Sequence, residues 1–501
     1  MYMNVAEHAT VAALLRCCIR ELPGQAFPAG PYTMVRVGGV WLRALTSGGT
    51  AIRIDGPERL TGTTWARLTS GELVELIGRE FPGVNGEFAE QVTGSRKVIE
   101  RLLTARSHAK PPEDDWMASE QELVFGHPFH PAPKAREAAK GDWIDYAPEA
   151  HARFPLRLLA VREDLVVEEG DVSALDRIPA DVPPGYRLLP VHPWQYELIQ
   201  PPLGDSGLLD LGWAEHEVLP TSSVRTVYDP LLDKCLKFSL DVRITNCVRK
   251  NAWYELSGAV ELSRRLAPVF AALTERFPGT RWLPEPGYRT VDLGGELLEG
   301  LGVLVRCSPH GRCGPGVTPV LAGALALRDI GGDDPVSWWR SYVEVVALPV
   351  LEAYLRHGVV LEPHLQNVLV GLDPAGRPVQ AVFRDLEGTK LVGHDLAGVP
   401  AEVAGAMTYT PEKGWDRVVY CLVVNHLAEI AASLRAPLDT LWGVAAEEIS
   451  AYGDSIGWPE PLKQLMSGVP LPAKANLTVR WARRADRAAT YVPVANPLVT
   501  A

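Results

Sequence analysis

The residues with the most chemistry lie between Glu362 and Asp385. Glu362, His364, Gln366 and Asn367 form a polar loop before the apolar run Val368 to Val370, and Asp385 follows a second apolar run near Ala381 to Phe383. Carboxylate and amide oxygens suit a hard cation such as Mg²⁺. A buried polar turn between hairpin strands uses similar residue types, but His364 among them is harder to assign to a turn. In a second group, Thr221-Ser222-Ser223-Val224-Arg225-Thr226, hydroxyls stand beside a guanidinium that can grip two oxygens at once, a pairing suited to phosphate. A polar turn before a strand has the same composition. From Leu236 to Thr245 apolar and polar residues alternate without a break. Leu236, Phe238, Leu240, Val242 and Ile244 share one side, and Lys237, Ser239, Asp241, Arg243 and Thr245 the other. The pattern predicts one half-buried strand with a charged ladder, followed by Asn246 and Arg249. A solvated strand face is the alternative. Lys237 and Thr245 would stand about 26 Å apart on a straight strand, so both cannot touch one phosphate unless it bends.

A fourth group, Gly126-His127-Pro128-Phe129-His130-Pro131-Ala132-Pro133-Lys134-Ala135-Arg136, reads as a rigid loop whose Lys134 and Arg136 face an anion, or as a Pro-rich turn with surface charges. His127 and His130 invite a zinc reading. The prolines break any shared helical face, and no third ligand lies nearby. Pro190-Val191-His192-Pro193-Trp194-Gln195 reads as a second rigid turn.

These groups need elements to hold them. At 501 residues and 54.6 kDa the chain suggests about three domains. Its 47% hydrophobic and 22% charged residues exclude wholesale disorder. With 49 basic and 61 acidic side chains the net charge is −12, which argues against non-specific nucleic-acid binding but allows a local basic pocket. Seven scattered cysteines without a C-x-x-C pair read as reduced thiols in a cytoplasmic protein. No run of about 20 apolar residues offers a membrane span. Near the N-terminus, Val11, Leu14, Leu15, Cys18 and Ile19 share one helical face, with Asn4 and Glu7 resembling a capping box and Pro23-Gly24 a stop. Short strands are expected in Met34 to Ala44 and Ala51 to Ile54, and helices over Ser70 to Glu80 and Glu87 to Thr104. Pro- and Gly-punctuated sheet is expected from His127 to Arg249, and long helices from Val336, including the stripe of Trp338, Tyr342, Val345, Val346, Pro349 and Val350. The class is α+β in separate lobes, with a site between them.

The loop–strand–strand pattern around Asn367 and Asp385 resembles the catalytic core of kinase-like phosphotransferases, in which an Asn and an Asp at these two positions hold Mg²⁺ on nucleotide phosphates. Glu362 lies five residues before Asn367, where such enzymes carry an Asp base. On this pattern alone a small-molecule phosphotransferase is the alternative. Five motifs together are similar, in order, to the NRPS-independent siderophore (NIS) synthetases of the IucA/IucC, aerobactin-synthetase type. They are G-H-P-x-H-P-x-x-K-x-R at 126–136, S-S-x-R-T at 222–226, K-x(7)-T-N-x-x-R at 237–249, E-P-H-x-Q-N at 362–367 and R-D-x-x-G at 384–388. The helical C-terminal part with Lys474 also fits, so the likeness covers nearly the whole chain.

The resemblance implies an ATP-dependent ligase that adenylates a carboxylate, often citrate, and releases pyrophosphate. An amine, hydroxylamine or alcohol then displaces AMP. It implies a cupped-hand fold with a thumb at 1–150, β-rich fingers at 151–305 and a helical, kinase-like palm at 306–501. Carried over by motif, Lys134, Ser223, Arg225, Lys237, Arg249 and Asn367 face ATP. Glu362, Asn367 and Asp385 hold Mg²⁺. Thr245, Arg249, His364 and Gln366 contact the acid, with Lys237, Arg249 and His364 as the catalytic set. ATP and Mg²⁺ are the implied cofactors. The implied partners are small-molecule acids and amines or alcohols and a second copy of the chain, without nucleic acid or membrane. Two departures stand out: Ala138 where a glycine is usual, and Arg306-Cys307 where Arg-Glu is common.

Overall fold

A computed structural model describes residues 2–22, 24–136, 143–244, 247–484 and 490–499, with only the backbone of 2–3, 243–244 and 247–249. Three main apolar cores organise them. In the first, the helix Tyr2–Glu21 buries Val11, Leu14, Leu15 and Cys18 beneath a five-stranded antiparallel meander and the helices Ser70–Glu80 and Gly86–Arg106. The first helix runs through Asn4, so the expected capping pair serves elsewhere. Glu7 accepts from the Ser70 N–H at 2.6 Å and Asn4 accepts from Arg67. The start of Ser70–Glu80 carries its own capping box, Thr69 with Glu72.

The second core lies under an eight-stranded antiparallel sheet. Its order is Val166–Gly170, Gly287–Val291, Val303–Cys307, Lys234–Phe238, Thr226–Asp229, Leu208–Pro220, Phe154–Arg162 and Tyr186–Val191. The third core surrounds a four-stranded sheet, ordered Thr280–Trp282, Pro378–Phe383, Val368–Leu372 and Thr318–Leu321, and the C-terminal helices. The helical run from Pro335 to His357 widens into a π-turn over Val343–Ala347. Pro349 follows and has no N–H to give to Val345, a cause of such local unwinding.

Two crossings tie the cores together. The helix Asp115–Glu120 inserts Trp116 and Met117 into the third core. The segment after the Leu471–Lys474 strand returns to the first core, where Glu21 accepts from the N–H groups of Leu477 and Thr478, both at 2.8 Å.

Candidate active site

The alternating stretch from Leu236 to Thr245 is not one strand. Lys234–Phe238 belongs to the eight-stranded sheet. The chain leaves it at Ser239, and Leu240–Ile244 pairs instead with Cys247–Arg249. Ser239 fixes the break by donating to Glu299 O at 2.5 Å and accepting from Asn251 N at 2.9 Å. Gln195, from the expected second rigid turn, accepts from Asp241 N at 2.7 Å just beyond it. Lys237 is only 2% exposed, so the polar side of this stretch is not a solvated face there. Thr245 lies outside the described residues, as does the side chain of Arg249.

Lys237 is buried because carboxylates meet it. Its Nζ lies 2.9 Å from Asp385 Oδ1 and 2.9 Å from Glu387 Oε2. Arg225 donates to Glu387 at 2.7 Å and to Asn251 Oδ1 at 2.6 Å. Arg306 donates to Asp385 at 2.9 Å and through Nε to Glu285 at 2.8 Å. Three cations thus face three carboxylates where the eight-stranded sheet meets the end of Pro378–Phe383. Burial would raise the Asp385 carboxyl, but Lys237 and Arg306 overcome it and hold it well below the carboxylate range. In the same balance Lys237 and Arg225 hold Glu387 at about 2. Burial lowers Lys237, yet Asp385, Glu387 and Glu285 bring it above its ordinary value. Strain marks both sides of the centre. Val224 has φ +55° and Asp385 φ +71°, a region that costs a side chain roughly 1–2 kcal/mol.

The loop before Val368–Leu372 is braced from several directions. Asn367 Nδ2 lies 3.1 Å from His364 Nε2. Gln366, expected on the acid, gives its amide to Ser222 O at 2.9 Å. Arg384 donates to Gln366 O, to Ser222 Oγ at 3.2 Å and to the buried Glu120 at 2.9 Å, and Glu120 also accepts from Ser222 Oγ at 2.8 Å. Ser223 is half-buried on the same turn. Glu362 accepts from Arg417 Nε at 2.5 Å. A Cβ at Gly388 would lie 2.6 Å from Glu362 Oε2, so glycine there lets the two segments touch. Burial lowers His364, and the Glu362 charge offsets it only in part, which leaves the imidazole neutral near pH 7.

The Pro-rich loop serves differently from expectation. Lys134 is buried in an ion pair with Glu149 rather than facing an open anion position. Arg136 stacks over Trp143 at 4.3 Å, and Ala138 lies outside the described residues. His127 and His130 each accept a backbone N–H through Nδ1, from Phe129 at 3.0 Å and Ala132 at 3.1 Å. His127 Nε2 also meets Asn425 at 3.0 Å. These are turn-capping histidines. Among the described residues no three His, Cys, Asp or Glu side chains gather as a metal centre.

Mg²⁺ fits the charge centre through a smaller protein share. Asp385 and Glu387 both reach the single Lys237 Nζ, so a cation in that position would be shared by two hard carboxylates. Each retains about a third of its surface, 35% and 31%. Mg²⁺ commonly takes one or two protein carboxylates and completes its shell with phosphate and water. Of the expected ligands, Asp385 is paired with Lys237 and Arg306, Asn367 is turned to His364, and Glu362 is held by Arg417.

Residues 115–327 match the IucA / IucC family, and residues 336–489 match a family described as ferric iron reductase FhuF-like transporter. The chain is 30% identical over 416 residues to an L-2,3-diaminopropanoate–citrate ligase of Staphylococcus aureus, covering 73% of this chain and 72% of that protein. The chain belongs to the IucA/IucC family of NIS siderophore synthetases. It is a ligase of siderophore biosynthesis. Over 99% of its length it is also 27% identical to the rhizobactin siderophore biosynthesis protein RhbC of Rhizobium meliloti, covering 98% of that protein. The fold matches ATP-bound aerobactin synthetase IucA of Klebsiella pneumoniae with a TM-score of 0.84 at 23% identity, over 98% of this chain and all of that one. No helix among the described residues is long and apolar enough to cross a membrane.

Within this family frame, the sequence motifs reached Arg225, Lys237 and Asp385 but missed Glu120, Glu285, Glu387 and Arg417 as site residues. Glu387 carried a signal, since it stands two residues after Asp385 within the R-D-x-x-G motif.

Proposed function

We propose that this synthetase activates citrate or a related di- or tricarboxylic acid as its acyl adenylate and passes the acyl group to an amine, hydroxylamine or alcohol. The observation that carries this reading is the convergence of Arg225, Lys237 and Arg306 on Asp385 and Glu387. A carboxylate attacking an α-phosphate brings two anions together. Fixed cations that cannot relax away offset that repulsion, each worth about 10²–10³ in rate. Holding both substrates in one cleft adds an orientation term. Mg²⁺, when held by Asp385 and Glu387, would supply further charge neutralisation on the phosphates. Nucleotide entry then releases Lys237, Arg225 and Arg306 from their carboxylates to the phosphate oxygens. Ser223 lies on the Arg225 turn and joins them there.

Thr245, Arg249 and His364 are assigned to the acid by motif. His364 is neutral and can accept a proton from the incoming nucleophile. Gln366 acts by holding the Ser222 turn. Relatives named as citrate ligases for diaminopropanoate in Staphylococcus aureus and for spermidine in Bacillus anthracis support citrate and an amine. The thumb, fingers and palm are assigned to 1–150, 151–305 and 306–501 by family resemblance, while the helix Trp253–Arg276 and the strand Thr280–Trp282 pack with the third core. The free state of all six described cysteines supports the cytoplasm, and a homodimer is expected.

The test is incubation with Mg-ATP, citrate and a panel of polyamines and hydroxy-amines, followed by nucleotide separation. Citrate-dependent pyrophosphate and AMP in step with a condensed product are expected. Acid-dependent ADP with a phosphorylated small molecule would reject the ligase reading and promote a phosphotransferase.

A further inference from the structure

A carboxylate outside the motif set lies beneath the charge centre. Glu285 occupies the connection between Thr280–Trp282 of the four-stranded sheet and Gly287–Val291 of the eight-stranded sheet, the segment that joins the two. Ser263, on the helix Trp253–Arg276, pins its backbone from both sides. It accepts from Glu285 N at 2.9 Å and donates to Glu285 O at 3.0 Å. The Glu285 side chain is 0% exposed. Its Oε1 takes Arg306 Nε at 2.8 Å and lies 4.0 Å from Lys237 Nζ. Its Oε2 has no hydrogen-bond partner among the described residues.

A fully buried carboxylate with an unused oxygen is an expensive way to fill space, and apolar residues often replace a buried ion pair without loss of stability. Its position suggests another use. Asp385 and Glu387 are partly open and can turn to an incoming metal–nucleotide complex. Glu285 cannot follow, because it is sealed behind them. We propose that Glu285 is a positioning residue for the adenylation step. It anchors Arg306 directly, and Lys237 through its charge, so that both cations stay aimed at the phosphates when Asp385 and Glu387 turn away. This inference rests on the reading that Lys237 and Arg306 meet the nucleotide.

The consequence separates binding from rate. Neutralising Glu285 leaves three cations facing two carboxylates, a more positive pocket that holds a polyanion at least as well. Arg306 is then free to follow the nucleotide into unproductive positions.

The experiment uses the full chain, Mg-ATP and citrate, with an amine that the wild-type protein accepts. kcat and the ATP KM for citrate-dependent pyrophosphate release are measured for wild type, Glu285→Gln, Glu285→Asp and Arg306→Met. Glu285→Gln should lose about 10- to 100-fold in kcat, the usual scale for a supporting contact behind a reactive group, with ATP KM unchanged or lower. Glu285→Asp retains the charge and should recover much of that loss. If Glu285→Gln does not fold, the Asp variant alone carries the test: kcat below wild type at unchanged ATP KM supports the role. Wild-type kcat in folded Glu285→Gln, wild-type kcat in Glu285→Asp where that variant alone carries the test, or a joint loss of kcat and ATP affinity in the variants measured, overturns it. Arg306→Met at the wild-type rate would reject the site reading itself. A crippled Arg306→Met beside an unimpaired Glu285→Gln would reject only the role of Glu285.

Discussion

Replacing Lys237 by Met is the sharpest test of the charge centre. The substitution keeps the buried stem and removes the ammonium, so three cations facing three carboxylates become two facing three. Lys237 makes two contacts at 2.9 Å, to Asp385 and to Glu387. Each carboxylate retains a second partner, Arg306 and Arg225 respectively. Each is also about a third exposed, so water can replace the lost bond. Folding should therefore change little. Adenylation should not be spared, because a pre-organised donor aimed at developing charge is worth about 2.7–4 kcal/mol, or 10²–10³ in rate. Citrate-dependent pyrophosphate release, with thermal unfolding of the same sample, reads both effects. A Lys237→Met protein within about threefold of wild type in kcat/KM for ATP would refute the assignment of Lys237 to the phosphates.

Gly388→Ala should slow adenylation by tenfold or more at a stability loss of about 1 kcal/mol. The new Cβ would meet the movable end of Glu362 at 2.6 Å and push it against Arg417; wild-type kinetics would disprove that the contact matters. Glu120→Gln and Arg384→Met should each weaken ATP binding by loosening the Ser222 turn, and the double variant should be no worse than the worse single one; fully additive losses would show that they act separately. The protein should also lose stability between pH 7 and 5. His192 and His426 are fully buried, and burial lowers them to about 3 and about 4. The unfolded chain therefore binds protons first. The contribution is full above about pH 6.5 and falls as the pH drops towards those values, by about 2 kcal/mol per group at pH 5. Equal urea-unfolding free energies at pH 7 and pH 5 would contradict this.

Local periodicity made much of the fold legible. The helix Ser70–Glu80 and the hairpin Val368–Leu372 with Pro378–Phe383 stand where their apolar spacing put them. The loop residues Glu362 to Asn367 and the turn residue Asp385 followed, because turns between such elements carry function. The partners of these residues were not legible. Lys237 meets Asp385 across 148 positions, and Arg384 meets Glu120 across 264. No spacing rule reaches that far, since the contact depends on how two sheets and a helix pack. Lys134 shows the same limit. The prolines around it predicted a rigid loop, but only the packing of Glu149 beside it set which anion it would meet.

The break at Ser239 resolves a difficulty that the alternating pattern raised. Inside–outside alternation survives an interruption provided the count of residues keeps parity, so a strand that leaves one sheet and joins another looks continuous. Leu236, Phe238, Leu240 and Val242 are all buried across the break. A continuous strand would carry Arg249 some 40 Å from Lys237 at about 3.3 Å per residue. Instead the chain doubles back, and the backbone of Arg249 pairs with Leu240, three residues from Lys237. Paired Cα atoms lie about 5 Å apart, and three residues span about 10 Å. Arg249 therefore returns to within roughly 15 Å of Lys237, the reach of two long side chains around one extended ligand. The K-x(7)-T-N-x-x-R spacing thus ends on a residue whose backbone pairs beside the start of the Leu240–Ile244 strand. Ser239 and Gln195 hold the bend that makes the return possible.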